Sequence, residues 1–220
     1  PGIVNGIKDC NVKEDKIHMI PNGCDIENFE ISLYQNKNSV KGLKAVYAGT
    51  FGTANGLDGI IEVAKVLQNK NRSDIELELI GEGAQRNSLI NQINTHSLEN
   101  IKVSPPMDKN TLIQYLHQAD VGLQTLMNVE EFYDGTSPNK FFDYISVGLP
   151  VICNYPGWIT DLIKQYNCGY YVTPDSPIEF SEMLERAADD RERLSEMGKN
   201  SRTLAVNRFD RKSLALQFAE

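Results

Sequence analysis

The sequence has 220 residues, with 22 Lys and Arg against 30 Asp and Glu, which gives a formal net charge of -8. Its length suits one α/β domain or two small ones, and its 40% hydrophobic and 24% charged residues exclude a disordered or fibrous chain. No apolar run approaches the ~20 residues of a membrane-spanning helix, and no cluster of Lys or Arg predicts a nucleic-acid-binding face.

The cysteines and histidines do not have the spacing of a metal site. No C-x-x-C pair occurs among the four cysteines and the histidines lie far apart, so we expect no bound metal. No secretory signal opens the sequence, which is typical of a cytoplasmic protein with reduced thiols. The sequence begins at Pro1 without a methionine, which indicates a fragment of a longer protein.

Short apolar runs alternate with segments of helical period along the chain. Predicted strands cover residues 43–48, 75–80, 101–104, 121–126, 151–154 and 170–172. Predicted helices cover residues 57–69, 84–95, 109–119 after an N-cap at Asp108, 138–147, 157–166, 177–188, 190–209 and 210–219. This alternation predicts a Rossmann-like, doubly wound parallel sheet of about six strands in the order 3-2-1-4-5-6. In that order a crevice opens between strands one and four, and a ligand should lie over the loops that follow them.

The loop after the first strand is rich in glycine and opens a helix. Gly49, Gly52 and Gly56 fall within eight residues, so backbone N–H groups could approach a phosphate there. An ordinary βα turn has the same composition, and the loop has neither G-x-G-x-x-G nor the lysine of a P-loop. Gly49, Thr50 and Gly52 are therefore candidates for phosphate contact. After the second strand, Glu82 stands between two glycines and is either a ribose ligand or an exposed loop acid.

The loop after the fourth strand is long and leads into a helix with an unusual first turn. Ser137 is a good N-cap and Pro138 a good first helical residue, so free N–H groups should point at the crevice. Lys140 then opposes the helix dipole, a cost that a bound phosphate would remove, unless the lysine is simply solvated. Asp143, one turn further on, could accept hydrogen bonds from a ribose diol or merely favour the dipole.

These motifs together resemble a known family. Residues 137–144 (S-P-N-K-F-F-D-Y) running into 148–152 (G-L-P-V-I) look like the signature of glycosyltransferase family 4, of the GT-B fold. Residues 16–25 (K-I-H-M-I-P-N-G-C-D) with Phe29 are similar to the start of the family's C-terminal domain. The loops at 48–57 and 80–83 and the tail at 197–202 fit as well, so the resemblance covers nearly the whole chain.

The resemblance implies an activity and a domain organisation. Family members transfer a sugar from a nucleotide-diphosphate donor, here expected to be UDP-linked, with retention of configuration and without a metal or other cofactor. This chain would be the donor-binding half, inactive alone, because an absent N-terminal domain supplies most of the acceptor site. We expect a linker over residues 1–30, a nucleotide-sugar-binding domain over 31–205, and a C-terminal helix over 206–220. That helix should present a stripe of Leu214, Leu216 and Phe218 to the absent domain.

The resemblance also assigns site residues. The family has two glutamates eight positions apart, and the second of them binds ribose hydroxyls. Asp143 stands at the position of this second glutamate, whereas Gly135 stands at the position of the first. Asp134 or Glu131, or the backbone N–H groups of residues 135–137, would take its place. The family's Arg and Lys of the first loop are absent, with Thr50 and Asn55 nearby, which puts more weight on Lys140 and the helix N-terminus as phosphate ligands. The catalytic candidates are Lys140 and Asp134, and the donor-binding candidates in this region are Gly135, Thr136, Ser137, Pro138, Asn139, Lys140 and Asp143.

The S-P-x-K variant resembles family members that build bacterial surface polysaccharides. We therefore expect a polysaccharide or lipid-linked acceptor. The protein is expected in the cytoplasm, and peripheral contact of the full-length protein with the membrane stays an open alternative. Two alternatives remain. One is a dinucleotide-binding Rossmann module, which the missing G-x-G-x-x-G disfavours. The other is a non-catalytic partner subunit, which the lost Arg, Lys and first Glu suggest.

Overall fold

The computed structural model describes residues 3–26 and 42–219. Six strands lie in that part of the chain: β1 (Leu43–Ala48), β2 (Ile75–Ile80), β3 (Ile101–Ser104), β4 (Val121–Gln124), β5 (Val151–Cys153) and β6 (Gly169–Tyr171). The helices there are α1 (Ile3–Asp9), α2 (Asp58–Asn69), α3 (Arg86–Thr95), α4 (Lys109–Leu116), α5 (Glu130–Gly135), α6 (Asn139–Ser146), α7 (Trp158–Tyr166), α8 (Pro177–Asp189), α9 (Arg191–Arg208) and α10 (Arg211–Ala219), with single 3-10 turns at Glu14–Lys16 and Thr53–Asn55. Phe29 and the expected domain boundary at residues 30–31 lie outside the described residues.

The six strands form one parallel sheet in the order β3-β2-β1-β4-β5-β6, which confirms the predicted topology. The chain runs outward from β1 through β2 to β3, then returns to the other side of β1 with β4. The connections after β1 and β4 therefore diverge to opposite sides of the sheet. This divergence opens the crevice at the carboxyl ends of these two strands.

The sheet separates two apolar layers, and the alternation of side chains along β1 assigns residues to each. Ala45 and Tyr47 face the layer formed with α2 and α8, whereas Val46 and Ala48 face the layer formed with α6, α7 and α9. Both faces are buried, so the strands read as nearly continuous apolar runs, as parallel strands covered on both sides do. The core therefore holds the strand ends that carry the crevice in fixed positions.

Helix α6 packs its Tyr144 ring directly on β4 because β4 has a glycine beneath that ring. A Cβ at Gly122 would stand 2.5 Å from the ring of Tyr144, whose hydroxyl accepts a hydrogen bond from the N–H of Ala48 at 2.9 Å. One side chain of α6 thus contacts β1 and β4 together. This contact holds the second half of α6 against the sheet.

Two helices, α1 and α5, were not predicted. Residues before β1 were expected to be linker-like, but α1 occupies Ile3–Asp9. The segment after β4 was predicted as a long loop, and the structure shows that it contains α5. Strand β4 ends at Gln124 instead of residue 126, because Thr125 and Leu126 bond to the neighbouring loops.

The last helix packs on the N-terminal segment rather than presenting an apolar stripe. Cys24 pairs with Asp210 in a parallel bridge, and the N–H of Arg211 donates to the Cys24 carbonyl at 3.0 Å. Leu214 is buried there, but Leu216 and Phe218 are 69% and 81% exposed. Leu216 is two positions from both Leu214 and Phe218 and therefore lies on the opposite face of α10, so the three residues do not form one stripe. No helix of the described residues is long and apolar enough to cross a membrane.

Candidate active site

The crevice wall combines the loop after β1 with the loop after β4. The Thr125 hydroxyl donates to the Asn55 carbonyl at 2.8 Å, and the N–H of Met127 donates to the Ala54 carbonyl at 3.0 Å. Gly56 has a φ of +63° and lies so close to Leu126 that a Cβ would stand 2.8 Å from its backbone. The loops after β1 and β4 are therefore joined by hydrogen bonds and close packing at the position where the strand order predicts a site.

The loop after β2 supports the first loop from the other side. Phe51 is fully buried, its N–H donates to the Glu82 carbonyl at 2.8 Å, and its carbonyl accepts from the N–H of Gln85 at 3.0 Å. The Glu82 side chain is 61% exposed and pairs with Arg86 at 3.2 Å. Its backbone supports the wall, and its role as a ribose ligand stays a prediction.

Lys140 lies in the first turn of α6 and extends back to the first loop. Its Nζ donates to Asn55 Oδ1 at 3.0 Å and lies 4.8 Å from the centroid of the Tyr47 ring. Its stem runs along Gly49, where a Cβ would stand 3.2 Å from Lys140 Cε. Burial lowers the pKa of Lys140 to about 8. Among the described residues no carboxylate forms an ion pair with it, so its charge is available to an anion in the crevice.

Asp143 follows one turn later and lies among mixed charges. Its Oδ1 is 3.9 Å from Lys109 Nζ, and its side chain is 28% exposed. Burial raises the pKa of Asp143, whereas Lys109 and Arg211 lower it and Asp25 raises it. The two cations are themselves held by Asp25, at 2.7 Å from Lys109 and 2.9 Å from Arg211. Asp143 is therefore a half-buried acceptor beside two cations that Asp25 shares, and its contact with a ribose diol stays a prediction.

The start of α6 differs from the prediction. Pro138 occupies the N-cap position with no side-chain cap, and Asn139 is the first helical residue, so Ser137 is not the cap. The Ser137 hydroxyl accepts from the N–H of Asn22 at 3.5 Å. The Asn22 amide donates to the Ser137 carbonyl at 2.8 Å and to Asn139 Oδ1 at 2.9 Å. Asn22 therefore holds the loop before α6 by donating to its oxygens and does not cap the helix. The N–H of Phe141 donates to the Pro138 carbonyl at 3.1 Å, and the N–H groups of Asn139 and Lys140 at the start of α6 have no side-chain cap.

The remaining candidates lie along α5 and its junction with α6. Gly135 ends α5 and is exposed, with nothing within 4 Å of the position a Cβ would take. The Thr136 carbonyl accepts from the Trp158 indole at 2.8 Å. Asp134 lies in α5, and the structure does not describe its side chain, so its catalytic role stays a prediction. Gly49, Thr50 and Gly52 lie in the loop after β1, and Asn139 and Lys140 open α6; their roles as donor ligands stay predictions.

Several residues that shape the site were not predicted as site residues. The Thr50 carbonyl accepts hydrogen bonds from Asn55 and Tyr47, which fix the loop after β1. Trp158 bonds to the loop before α6. Asn154 bonds to both backbone groups of Leu126, at 2.9 and 3.0 Å. Asn22 belongs to the I-P-N-G motif at residues 20–23, and this motif is its only mark in the sequence. The others act through tertiary contacts that local sequence does not encode.

The fold and the crevice define one Rossmann-like half of a GT-B structure. The chain belongs to the glycosyl transferases group 1 family, whose model matches residues 29–204. No curated protein matches the chain.

Solved structures of low sequence identity share the fold. Anabaena HepE in complex with UDP-glucose has a TM-score of 0.78 at 18% identity, over 98% of this chain and 59% of HepE. WaaG, a glycosyltransferase involved in lipopolysaccharide biosynthesis, has a TM-score of 0.75 at 17% identity, over 97% of this chain and 60% of WaaG. The C-terminal domain of a group 1 glycosyl transferase (LpcC) from Francisella tularensis has a TM-score of 0.67 at 18% identity, over 86% of this chain and 100% of that domain. The chain therefore spans about three fifths of HepE and WaaG, and all of the isolated C-terminal domain.

Proposed function

We propose that this chain is the donor-binding domain of a retaining glycosyltransferase of family 4. The observation that carries the proposal is Lys140: a half-buried ammonium at the start of α6 whose hydrogen-bond acceptor is a neutral amide. An anion at the crevice would be the natural counter-charge, and the N–H groups of the first turn of α6 would add donors to it. A nucleoside diphosphate carries such an anion.

The reaction would use this site to stabilise the leaving group. Transfer breaks the bond between the anomeric carbon and the β-phosphate oxygen, and negative charge then accumulates on the diphosphate. Lys140 and the helix N–H groups would stabilise that charge. Asp143 would hold the ribose hydroxyls, and Asp134, or Glu131 in its place, would act near the sugar.

The donor and the acceptor are proposed at the level of chemical class. HepE was solved with UDP-glucose, so UDP is the first nucleotide to test, with no metal or other cofactor expected. WaaG functions in lipopolysaccharide biosynthesis, which supports a polysaccharide or lipid-linked acceptor of the bacterial surface. An N-terminal domain would bind that acceptor. The full-length protein would lie in the cytoplasm, in peripheral contact with the membrane.

Calorimetric titration with UDP, GDP, ADP, uridine and NAD tests this proposal. We expect one nucleoside diphosphate to bind more tightly than its nucleoside by at least about tenfold, since charge-assisted hydrogen bonds contribute roughly 1.5–3 kcal/mol. Binding of NAD alone would favour a dinucleotide-binding module. Binding of none of the five would identify a non-catalytic partner and refute the proposal.

A further inference from the structure

Asn55 holds the ammonium of Lys140 from the opposite wall of the crevice. The two residues are 85 positions apart, and the distance from Lys140 Nζ to Asn55 Oδ1 is 3.0 Å. The ring of Tyr47 lies on another side of the ammonium, 4.8 Å from Nζ to the ring centroid. A lysine side chain in solvent samples many rotamers. Here two contacts restrict it to one position beside Gly49.

The orientation of the Asn55 amide is determined by its other hydrogen bond. Asn55 Nδ2 donates to the Thr50 carbonyl at 2.9 Å, and a carbonyl can only accept. The amide oxygen must therefore face the lysine. The same Thr50 carbonyl accepts from the Tyr47 hydroxyl at 2.7 Å.

The backbone of Asn55 is fixed as well. Its carbonyl accepts from the Thr125 hydroxyl at 2.8 Å, and its N–H donates to the Gly52 carbonyl at 2.9 Å. The position of the amide is thus set by the loops that follow β1 and β4 before any ligand arrives. This is the preorganisation that electrostatic stabilisation of a leaving group needs.

A neutral amide that accepts from Lys140 leaves the positive charge of the ammonium available to a ligand, whereas a carboxylate would not. A carboxylate at this position would hold the ammonium equally well, but would cancel its charge and compete with a phosphate. The chain has a surplus of acids, 30 against 22 basic residues, yet the acceptor of this lysine is an amide.

We propose that Asn55 is a positioning residue for Lys140, which fixes the ammonium where the donor's diphosphate binds and leaves its positive charge uncompensated. The inference rests on the proposed function, since it assumes that the anion is a nucleoside diphosphate. It assigns the lysine's placement to a residue of the first loop, not of its own helix.

Three variants and two ligands test the inference. Asn55→Ala should weaken binding of the selected nucleoside diphosphate by about three- to tenfold, the value of one lost hydrogen bond. Asn55→Asp should weaken it further, by more than about tenfold, because the new carboxylate pairs with Lys140. Neither change should alter affinity for the nucleoside. The matched control is Asn91→Ala, at an exposed position of α3, which should alter neither affinity.

The outcomes separate this inference from the proposed function. If the parent chain binds the diphosphate and Asn55→Asp binds it equally well, the positioning role is refuted and the proposed function stands. Equal losses for nucleoside and diphosphate would also overturn it, because they would indicate a merely structural role. If Asn55→Ala fails to fold, the nearly isosteric Asn55→Asp decides alone. No binding by the parent chain would overturn both the proposed function and this inference.

Discussion

Gly81 packs its backbone directly on the carbonyl oxygen of Gly49. A Cβ at residue 81 would stand 1.9 Å from that oxygen, and residue 81 has a φ of +154°, which disfavours other residues. The N–H of Gly49 donates to the Ile80 carbonyl at 3.0 Å just beside this contact. The end of β2 thereby determines where the first loop leaves β1, and with it the position of the crevice wall.

Gly81→Ala should destabilise the fold and displace the first loop. The clash involves backbone, which cannot rotate away, so we expect a loss of roughly 1–3 kcal/mol or more in the free energy of unfolding. Urea denaturation measures this loss. Gly59→Ala is the matched control: residue 59 lies in α2 with open space around its Cβ position, and the change should be neutral or stabilise by up to about 1 kcal/mol. Equal stability of the two variants would contradict the packing described.

Lys140→Met should weaken binding of a nucleoside diphosphate far more than binding of the nucleoside. Methionine keeps most of the stem along Gly49 but removes the charge, and a charge-assisted hydrogen bond contributes roughly 1.5–3 kcal/mol. Calorimetry with both ligands measures the difference. An unchanged affinity for the diphosphate would show that Lys140 does not contact the phosphates.

Affinity for the diphosphate should fall as pH rises through about 8, the pKa to which burial lowers Lys140. Between pH 7 and 9 the ammonium loses its proton, so affinity should fall by about tenfold. The neighbouring Cys153 thiol, whose pKa burial raises to about 11, and the Tyr47 phenol, whose pKa burial also raises, do not titrate in this interval.

Lys140→Arg provides the control for this pH dependence. The guanidinium stays charged throughout, so the variant should show a flat profile over the same range. A parent profile as flat as that of the arginine variant would indicate that another group carries the phosphate interaction. The effect of pH on folding has the opposite sign to its effect on binding. In the unfolded chain Lys140 keeps its proton up to the ordinary pKa of 10.5, whereas in the folded chain it loses the proton near pH 8. The free energy of unfolding should therefore rise between pH 8 and 10.5.

Asp143→Ala should reduce affinity for the ribonucleotide and have little effect on its 2′,3′-dideoxy analogue. In the proposed site the carboxylate would accept hydrogen bonds from the diol, and removing either partner would remove the same interaction. Titration of both nucleotides into both proteins gives the four affinities required. Asp161→Ala, an exposed acid on α7, is the control and should leave the preference unchanged. If the parent itself does not distinguish the two nucleotides, the acid is structural.

A polypeptide of residues 1–220 should bind the donor nucleotide without transferring sugar. The described residues build one parallel sheet, and the proposed transfer takes place in the cleft between two such domains. The assay compares sugar transfer by this polypeptide and by the full-length protein, with the same donor and acceptor. Comparable turnover would mean that residues 1–220 contain the whole catalytic site.

The strand order, the two-layer core and the position of the crevice followed from the sequence. Apolar runs such as residues 43–48 and 75–80 are local signals, and a parallel sheet with helical crossovers has few possible topologies. The Asp108 cap was also predictable, because a capping side chain bonds to residues two and three positions away, here Asn110 and Thr111.

Only the tertiary structure decided how the site is held. Asn55 meets Lys140 across 85 residues and Asn22 meets Asn139 across 117, and no periodicity or spacing encodes such pairs. The prediction of Ser137 as an N-cap failed for the same reason: a distant asparagine bonds to the loop and displaces the local pattern. The sequence by itself determined which strands meet at the crevice, because that depends on local pattern and chain topology. The charge and orientation of the groups within it depend on contacts made only after the sheet has brought remote loops together.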